Sequence, residues 1–154
     1  MFKEMRRKDR EIERLDAEKI LNREEYGILS TVCNDGYAYG TPLNYIYKDN
    51  NIYFHCANEG QKLENIESNN KVCFTVVGCV EVLPDKFSTN YESVVVFGTA
   101  VPVQEAEKEE ALTELIKKYS KDYMAQGLEY IKKAINAVSV YKINIEHMSA
   151  KARR

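Results

Sequence analysis

Hydrophobic residues change their spacing along the chain, and these changes divide it into helices and strands. Ala17, Ile20 and Leu21 recur at the helical period, and Asp16 is placed to cap the start of that helix. From Gly27 onward the apolar residues alternate, which is typical of strands. Near residue 105 the helical period returns, and the sequence predicts two further helices followed by a last strand.

The alternating region predicts an antiparallel meander that contains one short helix. Asn58 and Gln61 have the spacing of a capping box, which places the start of that helix. The second strand is expected to bend or begin at Pro42. Altogether the pattern predicts about six strands and three or four helices in a single α+β domain spanning 1–154. The expected strands are 27–33, 37–47, 52–56, 71–82, 91–103 and 137–145.

Charge and composition exclude several classes of function. The net charge of −2 and the pI of about 5.8 provide no field that attracts a polyanion, so no nucleic-acid partner is expected. The four cysteines show no C-x-x-C spacing and there are only two histidines, so no metal site is expected and the thiols are predicted to be free and buried. No apolar run is long enough to cross a membrane, and the chain is expected to be cytoplasmic.

The first residues form a segment with a different character from the rest. Residues 1–15 carry many charges of both signs, which predicts a solvated arm or a segment that covers part of the fold. Farther along, the residues from Val94 to Phe97 are apolar on both faces of their predicted strand. A strand buried on both sides is typical of a barrel wall that packs against a partner or a helix.

One segment, 53–62, combines a strand end with a helix start. The strand delivers His55 to its end, and the helix follows at once with Lys62 in its first turn. The N-terminus of a helix favours an anion and disfavours a lysine. Lys62 is therefore well placed if a phosphate group binds there, and the alternative is a surface lysine on a short helix.

Three stretches together resemble the FMN-binding split barrels related to pyridoxamine-phosphate oxidase, and within them the nitroimidazole-resistance (Nim) branch. They occur in order over nearly the whole chain: 5–12, 40–45 followed by 52–62, and 92–100. The resemblance implies a six-stranded antiparallel split β-barrel with flanking helices. It also implies a homodimer that holds FMN at the interface between its two copies.

The resemblance also implies roles for individual residues. Gln61 and Lys62 stand where the family grips the FMN phosphate, and His55 is associated with the active site. Ser93 is expected to approach the flavin from the interface strand. The flavin ring is expected to be flanked by His55 and Cys56 and lined, largely through backbone groups, by Thr41, Pro42, Leu43 and Asn44.

Two positions depart from the family pattern. Gln61 stands where the family often has arginine or lysine, which exchanges a charge-assisted contact for a neutral hydrogen bond. This departure predicts weaker FMN binding, a Gln61 side chain that does not touch the phosphate, or an empty site. At the other end, Ser149-Ala150-Lys151 replaces the Thr-Gly-Lys of the branch, which leaves the role of Lys151 open.

Two functional hypotheses follow from the resemblance. In the first, an FMN-dependent oxidoreductase takes a hydride from NADH or NADPH and reduces a small acceptor such as a nitroaromatic compound. His55, with an ordinary pKa near 6.5, is the candidate proton donor, and the alternative is a histidine that only packs beside the flavin. In the second, the protein is a non-catalytic flavin or haem binding or sensing protein. The residues alone do not separate the two.

Overall fold

The computed structural model describes residues 1–154, and an antiparallel sheet of seven strands forms its centre. Four helices pack against the sheet, which makes the fold α+β. The strands are β1 Gly27–Val32, β2 Ala38–Leu43, β3 Ile46–Lys48, β4 Asn51–Ala57, β5 Lys71–Leu83, β6 Ser88–Val103 and β7 Val138–Arg153. The helices are α1 Arg14–Arg23, α2 Gln61–Ser68, α3 Glu105–Tyr119 and α4 Met124–Ala134. No helix is long and apolar enough to cross a membrane.

The prediction of six strands is wrong by one, because the segment expected as one strand over 37–47 turns a corner at Asn44 and Tyr45. The hydroxyl of Tyr119 accepts a hydrogen bond from the backbone N–H of Tyr45 at 3.0 Å and lies 2.8 Å from the Tyr45 carbonyl oxygen. The backbone N–H of Tyr45 is then not free to pair with a neighbouring strand. Pro42 does not cause the break, since it lies within the edge strand β2, where a missing N–H is tolerated.

The strand order shows how the sheet curves. The order is β2-β1-β5-β6-β7-β4-β3, so the two edge strands, β2 and β3, are consecutive in the chain. Only Asn44 and Tyr45 connect them, and so short a connection spans no more than about 10 Å. The sheet must therefore roll until its edges approach. The edges do not pair, which gives an open arrangement consistent with a split barrel.

Lys118, on α3, lies against this corner. Its Nζ atom is 4.0 Å from the centre of the Tyr45 ring and donates to the Leu21 carbonyl oxygen at 3.2 Å. Burial lowers the pKa of Lys118 to about 8, and the carboxylates of Glu24 and Glu25 only partly oppose that shift. The protonated form is therefore penalised in the folded protein below about pH 8, and this penalty disappears as the pH rises towards the ordinary value of 10.5.

This shift predicts how stability depends on pH. The substitution Lys118→Met removes the penalised charge. The free energy of unfolding of the variant, minus that of the wild type, should therefore be higher at pH 7 than at pH 10.5. Urea denaturation at the two pH values measures the difference. A difference in stability between the two proteins that stays constant with pH, or that favours the wild type more at pH 7, contradicts the prediction.

Apolar side chains form cores on the two sides of the sheet. The larger core contains the predicted helix face of Ala17, Ile20 and Leu21, and that prediction is confirmed. The smaller core packs α3 and α4 on the side of β4 that carries Tyr53. On α4, Ile131 is buried in this core whereas Leu128 is exposed.

Neither predicted helix cap is present. α1 begins at Arg14, two residues before Asp16, which lies in the first turn and forms an ion pair with Lys19. α2 begins at Gln61 with Gly60 as its N-cap residue, and no side chain caps it. Asn58 bonds instead to the chain that enters β7, where its side-chain oxygen accepts from the Ser139 hydroxyl at 2.7 Å. The capping-box spacing was therefore misleading.

The charged N-terminal segment contacts the second half of the last strand, β7. β7 continues to Arg153 instead of ending at 145, and its charged residues concealed this from the alternation pattern. The backbone N–H of Ile12 donates to the Ala150 carbonyl at 3.1 Å, and the Phe2 ring stacks on His147 with ring centres 4.8 Å apart. The N-terminal segment thus covers part of the sheet.

Candidate functional site

The N-terminal turn of α2 is open to a ligand. Gly60 precedes it with a φ of 135°, a conformation that favours glycine, and a Cβ added there would meet no atom within 4 Å. The first N–H groups of a helix have no acceptor within the helix, and here no side chain supplies one. Unpaired N–H groups beside open space, with Lys62 in the same turn, form a donor set that suits a phosphate group.

β4 ends at this turn and brings His55 close to Lys62. The pKa of His55 is lowered, first by partial burial of the ring and then by the positive charge of Lys62. His55 therefore stays neutral at pH 7, although water still reaches its side chain. The predicted proximity of His55 and Lys62 is present in the structure.

Cys56 lies on the other face of β4. Its side chain is 7% exposed and packs in the larger core with Phe54, whereas His55 points away from that core. Burial raises the pKa of the Cys56 thiol, which keeps it protonated. Only the backbone of Cys56 is therefore placed to face a ligand beside His55. The expectation of buried thiols does not hold for all four cysteines, since Cys79 is exposed.

The predicted ring-lining segment lies at the edge of the sheet. Thr41, Pro42 and Leu43 pair with β1 on one side only, so backbone groups on their free side remain available. Leu43 also packs against the larger core. The Asn44 side chain is not free, because it donates to the Glu25 carbonyl oxygen at 2.8 Å and so braces the corner.

Ser93 lies far from the helix turn within one chain. It is directly opposite Lys151 in the β6–β7 register, and both line a cavity of about 460 Å³ beneath the N-terminal arm. His55 is opposite Val140 on the same β7 strand. Positions 140 and 151 of an extended strand are separated by roughly 35 Å. A single chain therefore does not bring Ser93 and His55 to one ligand.

The outer face of the central sheet is apolar and partly uncovered. Val77 is 50% exposed and Phe97 37% exposed, and both lie on the side that carries Ser93. Three further exposed apolar residues occupy the tip of the β5–β6 hairpin: Val80, Val82 and Phe87. The Phe2 ring stacks on Phe97 with ring centres 5.2 Å apart, whereas Val77 and the hairpin tip have no such cover. Exposed apolar surface of this kind marks interaction sites. In the sequence, residues 94–97 are apolar on both faces of their strand, which indicated this surface. The sequence analysis did not predict the exposed apolar residues at the hairpin tip.

A family model described as pyridoxamine 5'-phosphate oxidase matches residues 13–152. The chain belongs to this family. No curated protein matches the chain. The pyridoxamine 5'-phosphate oxidase family is the one that the three sequence stretches resemble, and that resemblance is confirmed.

Solved structures of similar fold extend the comparison. A candidate 5-nitroimidazole antibiotic resistance protein from Bacteroides thetaiotaomicron is 25% identical, with a TM-score of 0.80 over 92% of this chain and 86% of that one. It fits the resemblance to the Nim branch. A conserved hypothetical protein from Mycobacterium tuberculosis is 19% identical (TM-score 0.83; 98% and 91% covered). An FAD and haem binding protein from Mycobacterium smegmatis is 18% identical (TM-score 0.80; 92% and 72% covered).

Proposed function

We propose that this protein is a homodimeric flavoprotein that binds FMN between its two copies and reduces a small acceptor such as a nitroaromatic compound, with NADH or NADPH as electron donor. The observation that carries the proposal is the open N-terminal turn of α2, where Lys62 and unpaired N–H groups face space that a side chain does not fill. A phosphate group suits this donor set, and FMN has one at the end of its chain.

The distance along β7 supports a site shared by two copies. Ser93 and His55 are too far apart to contact one flavin from the same chain, so in the proposed dimer Ser93 of the second copy would contact the flavin held near His55. The apolar face around Val77 and Phe97 provides a surface for that second copy. Flavin-binding proteins among the similar structures, including the FAD and haem binding protein, are compatible with this cofactor class.

Each part of the chain then has a chemical task. Bound FMN supplies a ring that accepts a hydride and passes on electrons. Lys62 and the α2 turn hold the phosphate, and the edge of β2 orients the ring. His55 is neutral at pH 7 in the presence of the unpaired Lys62 charge. A bound phosphate would offset the charge of Lys62, the smaller of the two causes of the lowered pKa, and would so shift the pKa of His55 back towards its ordinary value and favour a proton on the ring.

This electrostatic coupling is testable in the protein without cofactor. The substitution Lys62→Gln removes the positive charge that disfavours the imidazolium form, so the pKa of His55 should rise. An NMR titration of the histidine rings measures the shift. His147, the only other histidine, is the internal control and should not move. An unchanged His55 pKa would show that Lys62 does not act on it.

The visible absorption spectrum tests the proposed function itself. Protein incubated with FMN and passed through a gel-filtration column should retain the flavin bands and elute as a dimer. Under anaerobic conditions, NADH or NADPH should then bleach the bound flavin. Retained flavin that neither donor reduces would favour the non-catalytic alternative. A Soret band on adding haem, without flavin retention, would favour a haem-binding function.

A further inference from the structure

A buried polar side chain lies inside the helix that begins the phosphate site. Asn65 is 1% exposed and lies on the face of α2 that packs into the larger core, between Leu63 and Ile66. An amide buried without hydrogen bonds destabilises a fold, because the group gives up its bonds to water and gains none in return. A leucine would suit a purely structural position here, so the presence of an amide requires an explanation.

The hydrogen bonds of Asn65 connect two elements. Its Nδ2 group donates to the Thr31 hydroxyl at 2.9 Å and to the Cys33 sulfur at 3.5 Å, both at the end of β1. Its Oδ1 atom accepts from the Gln61 side chain at 2.9 Å. Both N–H bonds and the carbonyl oxygen are therefore used, and Thr31 is as deeply buried as Asn65. A fully satisfied buried network of this kind fixes the elements that it joins.

The same network determines which groups face the ligand. Gln61, the neutral residue in the position where the family often has a cation, bonds back to Asn65 one turn along the helix. Its side chain therefore does not cover the start of α2. The phosphate end then meets the backbone N–H groups and Lys62, beside the open space at Gly60.

We propose that Asn65 is a positioning residue that aligns the first turn of α2 with the phosphate group of the cofactor, by anchoring that turn to β1 and by holding Gln61 aside. The proposal rests on the proposed function. It gives the buried amide a role in discriminating phosphorylated from unphosphorylated flavin, because only the phosphate end of the ligand depends on this turn.

The test compares the dissociation constants of FMN and riboflavin, measured by flavin fluorescence. In Asn65→Leu, FMN should bind about tenfold more weakly, as expected for one lost set of hydrogen bonds, whereas riboflavin binding should stay within about twofold. Asn70→Leu, an exposed asparagine just after α2, is the matched control and should change neither constant. Thr31→Val keeps a β-branched residue of similar shape but removes the hydroxyl that accepts from Asn65. Its FMN affinity should fall by less than that of Asn65→Leu, and its riboflavin affinity should not change.

The outcomes separate the alternatives. Equal weakening of FMN and riboflavin would show that Asn65 only stabilises the fold, and unchanged FMN binding in both variants would likewise overturn the proposal. If Asn65→Leu does not fold, the FMN and riboflavin dissociation constants of Thr31→Val distinguish a positioning role from a purely structural one. A wild-type protein that binds neither flavin would overturn the proposed function, and with it this inference, whereas selective loss in the variants supports both.

Discussion

We expect Val77→Lys to convert the proposed dimer into monomers and to abolish most of the proposed flavin binding. Val77 is 50% exposed in the single chain, so the folded monomer accommodates the lysine. In the proposed interface the same lysine loses its water without gaining a partner, which costs several kcal/mol. A twofold-symmetric interface contains each substitution twice, which enlarges the effect. The dissociation constant of the dimer should therefore rise by a factor of about a hundred or more.

Sedimentation equilibrium over a range of concentrations measures this change. Tyr130→Lys is the control, since Tyr130 is 69% exposed on α4, outside the apolar face. The control should leave both the dimer and its flavin content unchanged. Val77→Lys protein that remains dimeric would show that the two copies meet through another surface, and the shared site would then have to be rebuilt.

The second large effect is expected from Lys62→Ala. A lysine that contacts the phosphate group contributes a charge-assisted hydrogen bond, and its removal should weaken FMN binding by about 1–3 kcal/mol, or roughly 5-fold to 150-fold. The loss should shrink as salt concentration rises, because salt already screens the wild-type contact. Isothermal titration calorimetry at two ionic strengths measures both the loss of FMN affinity and its dependence on salt.

Lys86→Ala provides the matched control for this substitution. Lys86 is an exposed lysine in the turn after β5, and the 13 residues of that strand separate this turn from α2. Its removal changes the net charge equally and should leave FMN affinity unaltered. Equal FMN affinity in Lys62→Ala and the wild type would remove Lys62 from the site and favour the surface-lysine interpretation.

Local spacing predicted the proximity of His55 and Lys62 more successfully than it predicted the strand boundaries. The strand that ends beyond His55 and the helix that starts before Lys62 are both encoded within a few residues, so their proximity could be predicted. The corner at Tyr45 could not, because its cause is the hydroxyl of Tyr119, a residue distant in sequence. The bonds of Asn65 to β1 were hidden for the same reason.

The direction of side chains at the candidate site was also not predicted from the sequence. Adjacent strand residues point to opposite faces, so His55 and Cys56 were never able to present both side chains to one flavin face. The family resemblance predicted both residues at the site, because a resemblance in sequence gives the position of a residue in a strand but not the direction of its side chain. The extent of β7 was missed for a different reason, since charged and polar residues after Ile145 interrupt the run of apolar positions by which a strand is predicted.

The separation of His55 and Ser93 along β7 has a genetic consequence. If each flavin is held by Lys62 of one copy and approached by Ser93 of the other, a chain defective at Lys62 and a chain defective at Ser93 carry complementary lesions. Where the two chains assemble together, one of the two sites receives both defects and the other receives none. Two alleles that are inactive when expressed alone would then restore activity when expressed in the same cell.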